Sequence, residues 1–179
     1  MIQYTLEHCK KIYRNLFVLD IDILQIEERN DMLPIVVHKD IALQHLLNLI
    51  TYFPDAVSRS SNVFQRYEHK RISGYSYVVW VKPELNVSTY LNYSLAEIDE
   101  MNILGTSIIE YYLLCIFVKS FTGHNLDYKT RTLCSGSRCP DNGALNMLYN
   151  GIIDSSGHED KDQKVANMGV REIFHYQKI

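Results

Sequence analysis

Glycine and proline are scarce in this chain, at eight and four of 179 residues. No glycine-rich phosphate loop, dinucleotide fingerprint, G-x-S-x-G elbow or His-Glu-x-x-His pair is present, so the best-marked enzyme classes are excluded. Charge of one sign is lacking too. Eighteen Lys and Arg face 21 Asp and Glu, for a formal charge of -3, which gives no global pull toward nucleic acid or an anionic membrane. Long hydrophobic runs are missing. The longest, Ile103 to Val118, is about 16 residues and contains Glu110, short of the roughly 20 that a bilayer core requires. The first residues (MIQYTLEHCKKIYR) lack the apolar stretch of a signal peptide, so the expectation is an intracellular, cytoplasmic or similar reducing setting without a membrane partner. The four cysteines are not spaced as a secreted disulfide framework. Repeats, low-complexity tracts and an obvious linker are absent.

What remains is an ordinary globular composition, 46% apolar and 22% charged. The expectation is one domain spanning residues 1–179, with polar loops at about 124–140 and 154–164. Abundant Ile, Asn and Tyr beside scarce Gly and Pro is a bias that AT-rich genomes produce, those of some viruses, phages and bacteria among them.

The strongest local signal is the segment Ser94 to Gly123. Ser94 with Glu97 forms a capping box, Lys119 suits the negative end of a helix dipole, and Gly123 suits a left-handed C-cap. Residues 108–118 are apolar on every side except at Glu110, the pattern of a helix buried all round. A long buried helix over about 95–122 is predicted. Gly105 followed by a second capping box, Ser107 with Glu110, is the place where it would break in two.

Elsewhere, Ile2, Leu6, Cys9, Tyr13 and Leu16 recur at helical spacing. Alternation over Phe17 to Ile26 predicts a strand, and a short strand over Leu33 to Val37 follows. Asp40 caps a predicted helix from Ile41 to Phe53, stopped by Pro54. Residues 63–70 fit a short helix or a strand equally, whereas Ile72 to Val81 is rich in β-branched and aromatic residues and reads as a strand. A short helix is predicted over Asn142 to Asn150 and a last strand within Val170 to Gln177. The expected fold class is α+β: a small, mostly antiparallel sheet packed on the buried helix.

Four groups of residues carry candidate chemistry. Asp20 and Asp22, two apart on a predicted strand, would point to one face and could share a divalent cation such as Mg²⁺. FVLDID resembles the nucleophile strand of haloacid-dehalogenase-type phosphatases, which implies Asp20 as nucleophile and Asp22 as acid. Leu24 departs from that family's small polar residue, and only Asp160 and Asp162 are available as its later paired acids. The ordinary alternative is a solvent face on an edge strand. Cys134 and Cys139, with His124 and His158, offer thiolates and imidazoles for Zn²⁺, against the alternative of two unligated loop thiols. The basic-aromatic stretch Arg66, His69, Lys70, Arg71, Tyr75, Tyr77 and Trp80 could stack bases and hold phosphates, or meet a protein partner. The ordinary alternative, which outweighs it, is a core strand beside a charged turn. His45, on the predicted helix 41–53, reads as a hydrogen-bonded helix histidine, and His38 with Lys39 before that helix could bind an anion at its N-terminus, which the capping Asp40 opposes.

The expectation drawn from these features is a non-enzymatic protein-interaction or assembly module. It would self-associate or serve as a subunit of a larger viral, phage or cellular complex. Thirteen tyrosines supply the amphipathic contact area that interfaces favour. The alternatives are a divalent-metal-dependent phosphotransferase or phosphohydrolase using Asp20 and Asp22, a zinc-stabilised binding domain, and a nucleic-acid binder. No resident cofactor is expected under the leading reading.

Overall fold

A computed structural model describes residues 2–41, 46, 68–69, 71, 74–139, 143–149 and 153–179. In chain order the described elements are α1 (Leu6–Ile12), a π-helical turn (Tyr13–Phe17), β1 (Leu33–Val37), β2 (Glu68–His69), β3 (Tyr77–Val81), α2 (Leu95–Glu100) and α3 (Ile108–Thr122). Six strands complete the chain: β4 (Arg131–Leu133), β5 (Ser137–Arg138), β6 (Ala144–Tyr149), β7 (Ile153–Glu159), β8 (Met168–Gly169) and β9 (His175–Lys178). The class is mixed α+β. The predicted helix 41–53, with His45, lies outside the described residues apart from Ile41 and Leu46.

The predicted long helix is two helices, broken where Gly105 and the second capping box stand. The Ser94 hydroxyl accepts from the Glu97 amide to start α2, and the Ser107 hydroxyl accepts from the Glu110 amide to start α3. Gly123 closes α3 with a left-handed φ of 71°, and its amide donates to the Lys119 carbonyl. The buried core of the prediction holds for the shorter α3, in which every residue from Glu110 to Val118 is buried. Its apolar side chains belong to one large cluster with α1, β1 and β3. Fully burying each large one stabilises the fold by about 1.5–3 kcal/mol.

Beside α3 stands a three-stranded antiparallel sheet in the order β1-β3-β9, and both β1 and β3 are buried along their whole length. An edge strand exposes backbone groups that invite unwanted pairing. β1 manages its outer edge with Pro34, which has no amide to satisfy, and with two tyrosines that flank α1, Tyr4 before it and Tyr13 in the π-helical turn after it. The Tyr4 hydroxyl donates to the Pro34 carbonyl at 2.9 Å and the Tyr13 hydroxyl to the Val36 carbonyl at 2.7 Å. Tyr13 also accepts from the His38 amide at 3.3 Å, so one phenol holds both the strand and its exit.

The second large sheet runs β7-β6-β4-β8, antiparallel except for the parallel pair β4–β8. It corrects three expectations. Residues 142–150 were expected as a helix, but Ala144–Tyr149 pairs with strands on both sides, and pairing outweighs the helix preference of Ala, Leu and Met. The expected polar loop 154–164 is largely strand β7, and the loop 124–140 contains β4 and β5. A buried ion pair ties this sheet to the preceding chain. Arg171 reaches Asp127 at 2.6 Å, and its other donors satisfy the carbonyls of Glu84 and Leu85. Asp127 in turn accepts from the Val87 amide and the Thr132 hydroxyl.

The strand expected over residues 17–26 does not form. Val18 adopts a left-handed φ of 55° on leaving the π-helical turn, and the Asp22 carboxylate accepts from the Leu24 amide, an Asx turn that breaks the extended path. Ile21 and Ile26 still turn inward, while Val18 and Leu24 are 89% and 90% exposed.

Candidate binding groove

The sequence-derived candidates disperse. Asp20 is exposed and engaged by Arg14, whose Nε and Nη2 donate to its two oxygens at 3.1 and 3.2 Å. That hydrogen bond holds the Asp20 carboxyl below the usual carboxylate range. Asp22 caps its own turn, and with no strand here the same-face argument for the two acids lapses. Asp160 and Asp162 are exposed in the turn after β7. Cys134 is buried without a disulfide, and burial pushes its thiol up; Cys139 is half-buried and His124 exposed. His158 stands opposite Leu145 in the β6–β7 ladder. Among the described residues, no three His, Cys, Asp or Glu side chains gather as a metal would require.

The basic-aromatic stretch is divided among different places. Arg66 and Lys70 lie outside the described residues. Arg71 turns into the core, where its Nε and Nη2 donate to the Glu110 carboxylate at 2.8 and 2.6 Å. The Tyr77 hydroxyl donates to the same carboxylate at 3.0 Å, and so does the Ser107 amide, at 2.6 Å. A second bond from Arg71 Nη2 reaches the Gly105 carbonyl at 2.7 Å. The loop after β4 closes over this network, and a Cβ on Gly136 would stand 2.4 Å from Arg71 Nη2. Only a residue without a side chain fits there. Tyr75 instead pairs with the Tyr176 hydroxyl at 3.2 Å and lies under the Lys178 ammonium. Tyr77 and Trp80 belong to opposite faces of β3, so the rings form no common stacking platform.

Trp80 leads to a site that no sequence motif marked. It lines a half-open groove of about 360 Å³ between the N-terminal segment, residues 2–8, and the turn 28–34. Pocket volumes of this order suit specific ligands or side chains of a partner. The groove exists because two chain segments are pinned apart. The Ile2 amide donates to the Pro83 carbonyl at 3.4 Å, the Tyr4 hydroxyl fixes the segment to β1, and the Met32 amide closes a turn onto the Arg29 carbonyl at 3.1 Å. The floor is apolar: Tyr4, Leu33, Pro34 and Trp80 are all buried. The rim is polar, with Glu28, Arg29 and Asp31 exposed on one lip and His8 half-buried on the other.

Two features give this groove chemistry. Among the described residues, the buried indole N–H of Trp80 has no acceptor. Leaving such a donor unmade costs about 1–3 kcal/mol. The rim charges are unevenly used. Arg29 lies 3.8 Å from Glu27, whereas Glu28 and Asp31 have no ion pair among the described residues. No signal in the sequence marked the groove, because its floor comes from residues about 50 positions apart (Leu33, Pro34 and Trp80) that only strand pairing unites. Glu110 did carry a signal: a lone acid in an otherwise apolar helix demands a buried cation.

No family model matches the chain, and neither does any curated protein or solved structure in the comparisons.

Proposed function

We propose that this chain is a non-enzymatic protein-interaction module and that the groove is its docking site. The observation that carries the reading is an apolar floor of Tyr4, Leu33, Pro34 and Trp80 framed by a polar rim. An extended segment supplies what that combination lacks: apolar side chains for the floor and polar partners for the rim. The core groups that resemble reaction chemistry are engaged in holding the fold. Glu110, Arg171 and Asp127 are buried and Arg71 nearly so, and the four are held in two ion pairs, Arg71 with Glu110 and Arg171 with Asp127. Exposed Leu16, Val18 and Leu24 enlarge the apolar contact area near the N-terminal helix, and membership in a larger assembly is compatible with such a surface.

Selection from a displayed random-dodecamer library tests the reading. The chain should enrich a defined set of sequences, and Asn30→Trp, which fills the groove from its exposed rim, should abolish that enrichment without altering the circular dichroism. Absence of any enriched sequence, or enrichment indifferent to Asn30→Trp, overturns it.

A further inference from the structure

We infer that the segment taken by the groove is cationic: it presents a Lys or Arg beside the residue that seats on the apolar floor. This inference rests on the groove being a protein-docking site and adds the chemistry of its occupant. The argument begins with the lip of the groove. Glu28 and Asp31 line it and are exposed, and neither has a cationic partner among the described residues. The one cation of that lip, Arg29, is drawn toward Glu27 at 3.8 Å. The chain leading to the lip repeats the sign: Asp20, Asp22 and Glu27 are exposed as well, with Arg14 committed to Asp20. The acids of this lip outnumber its one cation, so a positive segment is drawn to it and an acidic one is repelled.

The second element is independent of charge. Trp80 is 2% exposed and lines the groove together with the buried Tyr4, Leu33 and Pro34. An apolar side chain seated on that floor fixes the position of an extended segment without choosing its flanking residues. The selection falls to two features of the groove: the apolar floor takes an aliphatic or proline side chain, and the acidic lip takes a cation. Proline suits the floor because a segment already extended loses less freedom on docking.

The test uses three synthetic decapeptides with one Leu-Pro-Leu core, flanked by Lys and Arg, by Gln, or by Glu. Trp80 is the only tryptophan of the chain, so its emission reports the groove directly. At low salt the Lys/Arg peptide should bind roughly five- to tenfold more tightly than the Gln peptide, and the Glu peptide more weakly than either. The preference should vanish in the double variant Glu28→Gln, Asp31→Asn and shrink at about 0.5 M NaCl, where charges are screened over a few ångströms. With a dye-labelled peptide, Trp80→Phe should weaken all peptides alike and leave the preference intact. Equal binding of the Lys/Arg and Gln peptides overturns the cationic assignment while leaving the docking site standing. Binding of none of the three overturns both.

Discussion

Replacing Glu110 with Gln should be among the most damaging single changes this fold can suffer, although it removes no carbon atom. Glu110 is fully buried and Arg71 nearly so, at 9% side-chain exposure. The two meet through a pair of hydrogen bonds at 2.8 and 2.6 Å. With Gln in place, the Arg71 charge is left in the interior without its counter-ion, and one of the two amide termini turns a donor toward another donor. Breaking a buried pair in this way costs about 3–5 kcal/mol. For a chain of this length each kcal/mol moves the melting temperature by about 2–4 °C, so a fall of roughly 6–20 °C is expected. Urea unfolding followed by far-ultraviolet circular dichroism gives the free energy. Arg71→Met should cost a similar amount. The double variant should cost much less than the sum of the two, because a neutral pair needs no compensation. A loss below about 1 kcal/mol for Glu110→Gln, or strict additivity in the double variant, would refute the reasoning.

Gly136→Ala should destabilise by about 1–3 kcal/mol in the same urea assay, because the added methyl lands on Arg71 Nη2, the Gly105 carbonyl and the Ser107 amide; an unchanged midpoint contradicts that packing. Thiol titration of the native chain should modify Cys139 fast and Cys9, Cys115 and Cys134 only on unfolding, since those three are buried and burial pushes the thiols of all three up. Four fast thiols would deny it. Alkaline stability follows from the tyrosines. Burial, then the Tyr75 hydrogen bond, pushes Tyr176 up to about 12, and burial followed by the Glu110 carboxylate raises Tyr77 as well. The folded values lie above the unfolded value near 10, so their contribution is complete below about pH 10 and is lost as pH rises toward 12. Absorbance at 295 nm should show buried phenols ionising only together with loss of circular dichroism; all thirteen titrating near pH 10 in a folded chain would be the opposite result.

The helices were legible from sequence where the chain carries its own punctuation. Both capping boxes and Gly123 mark the bounds of α2 and α3, because a cap is a local hydrogen bond between residues three apart. Strand β1 was legible as an apolar run bounded by polar residues, and β3 as the second half of a β-branched, aromatic stretch. The failures share one cause. Over residues 17–26 the alternating pattern was genuine, but a left-handed Val18 and the Asp22 turn redirected the backbone. Over residues 142–150 and 154–164 local propensity pointed to helix and loop, whereas the β6–β7 hairpin is decided by partners distant in sequence. The groove was illegible for the same reason: a shared apolar floor and two rim acids without an ion pair among the described residues are properties of assembled neighbours. Arg71 illustrates the limit best. A cation next to Lys70 reads as a surface patch, and only the fold reveals that it belongs to Glu110.

Hydrogen exchange of the chain with and without the Lys/Arg-flanked decapeptide tests the docking site most directly. Slowed exchange confined to residues 2–8 and 28–34, with the amides of α3 unchanged, is the predicted pattern. Slowing centred elsewhere, or no slowing at saturating peptide, would contradict the assignment of the groove.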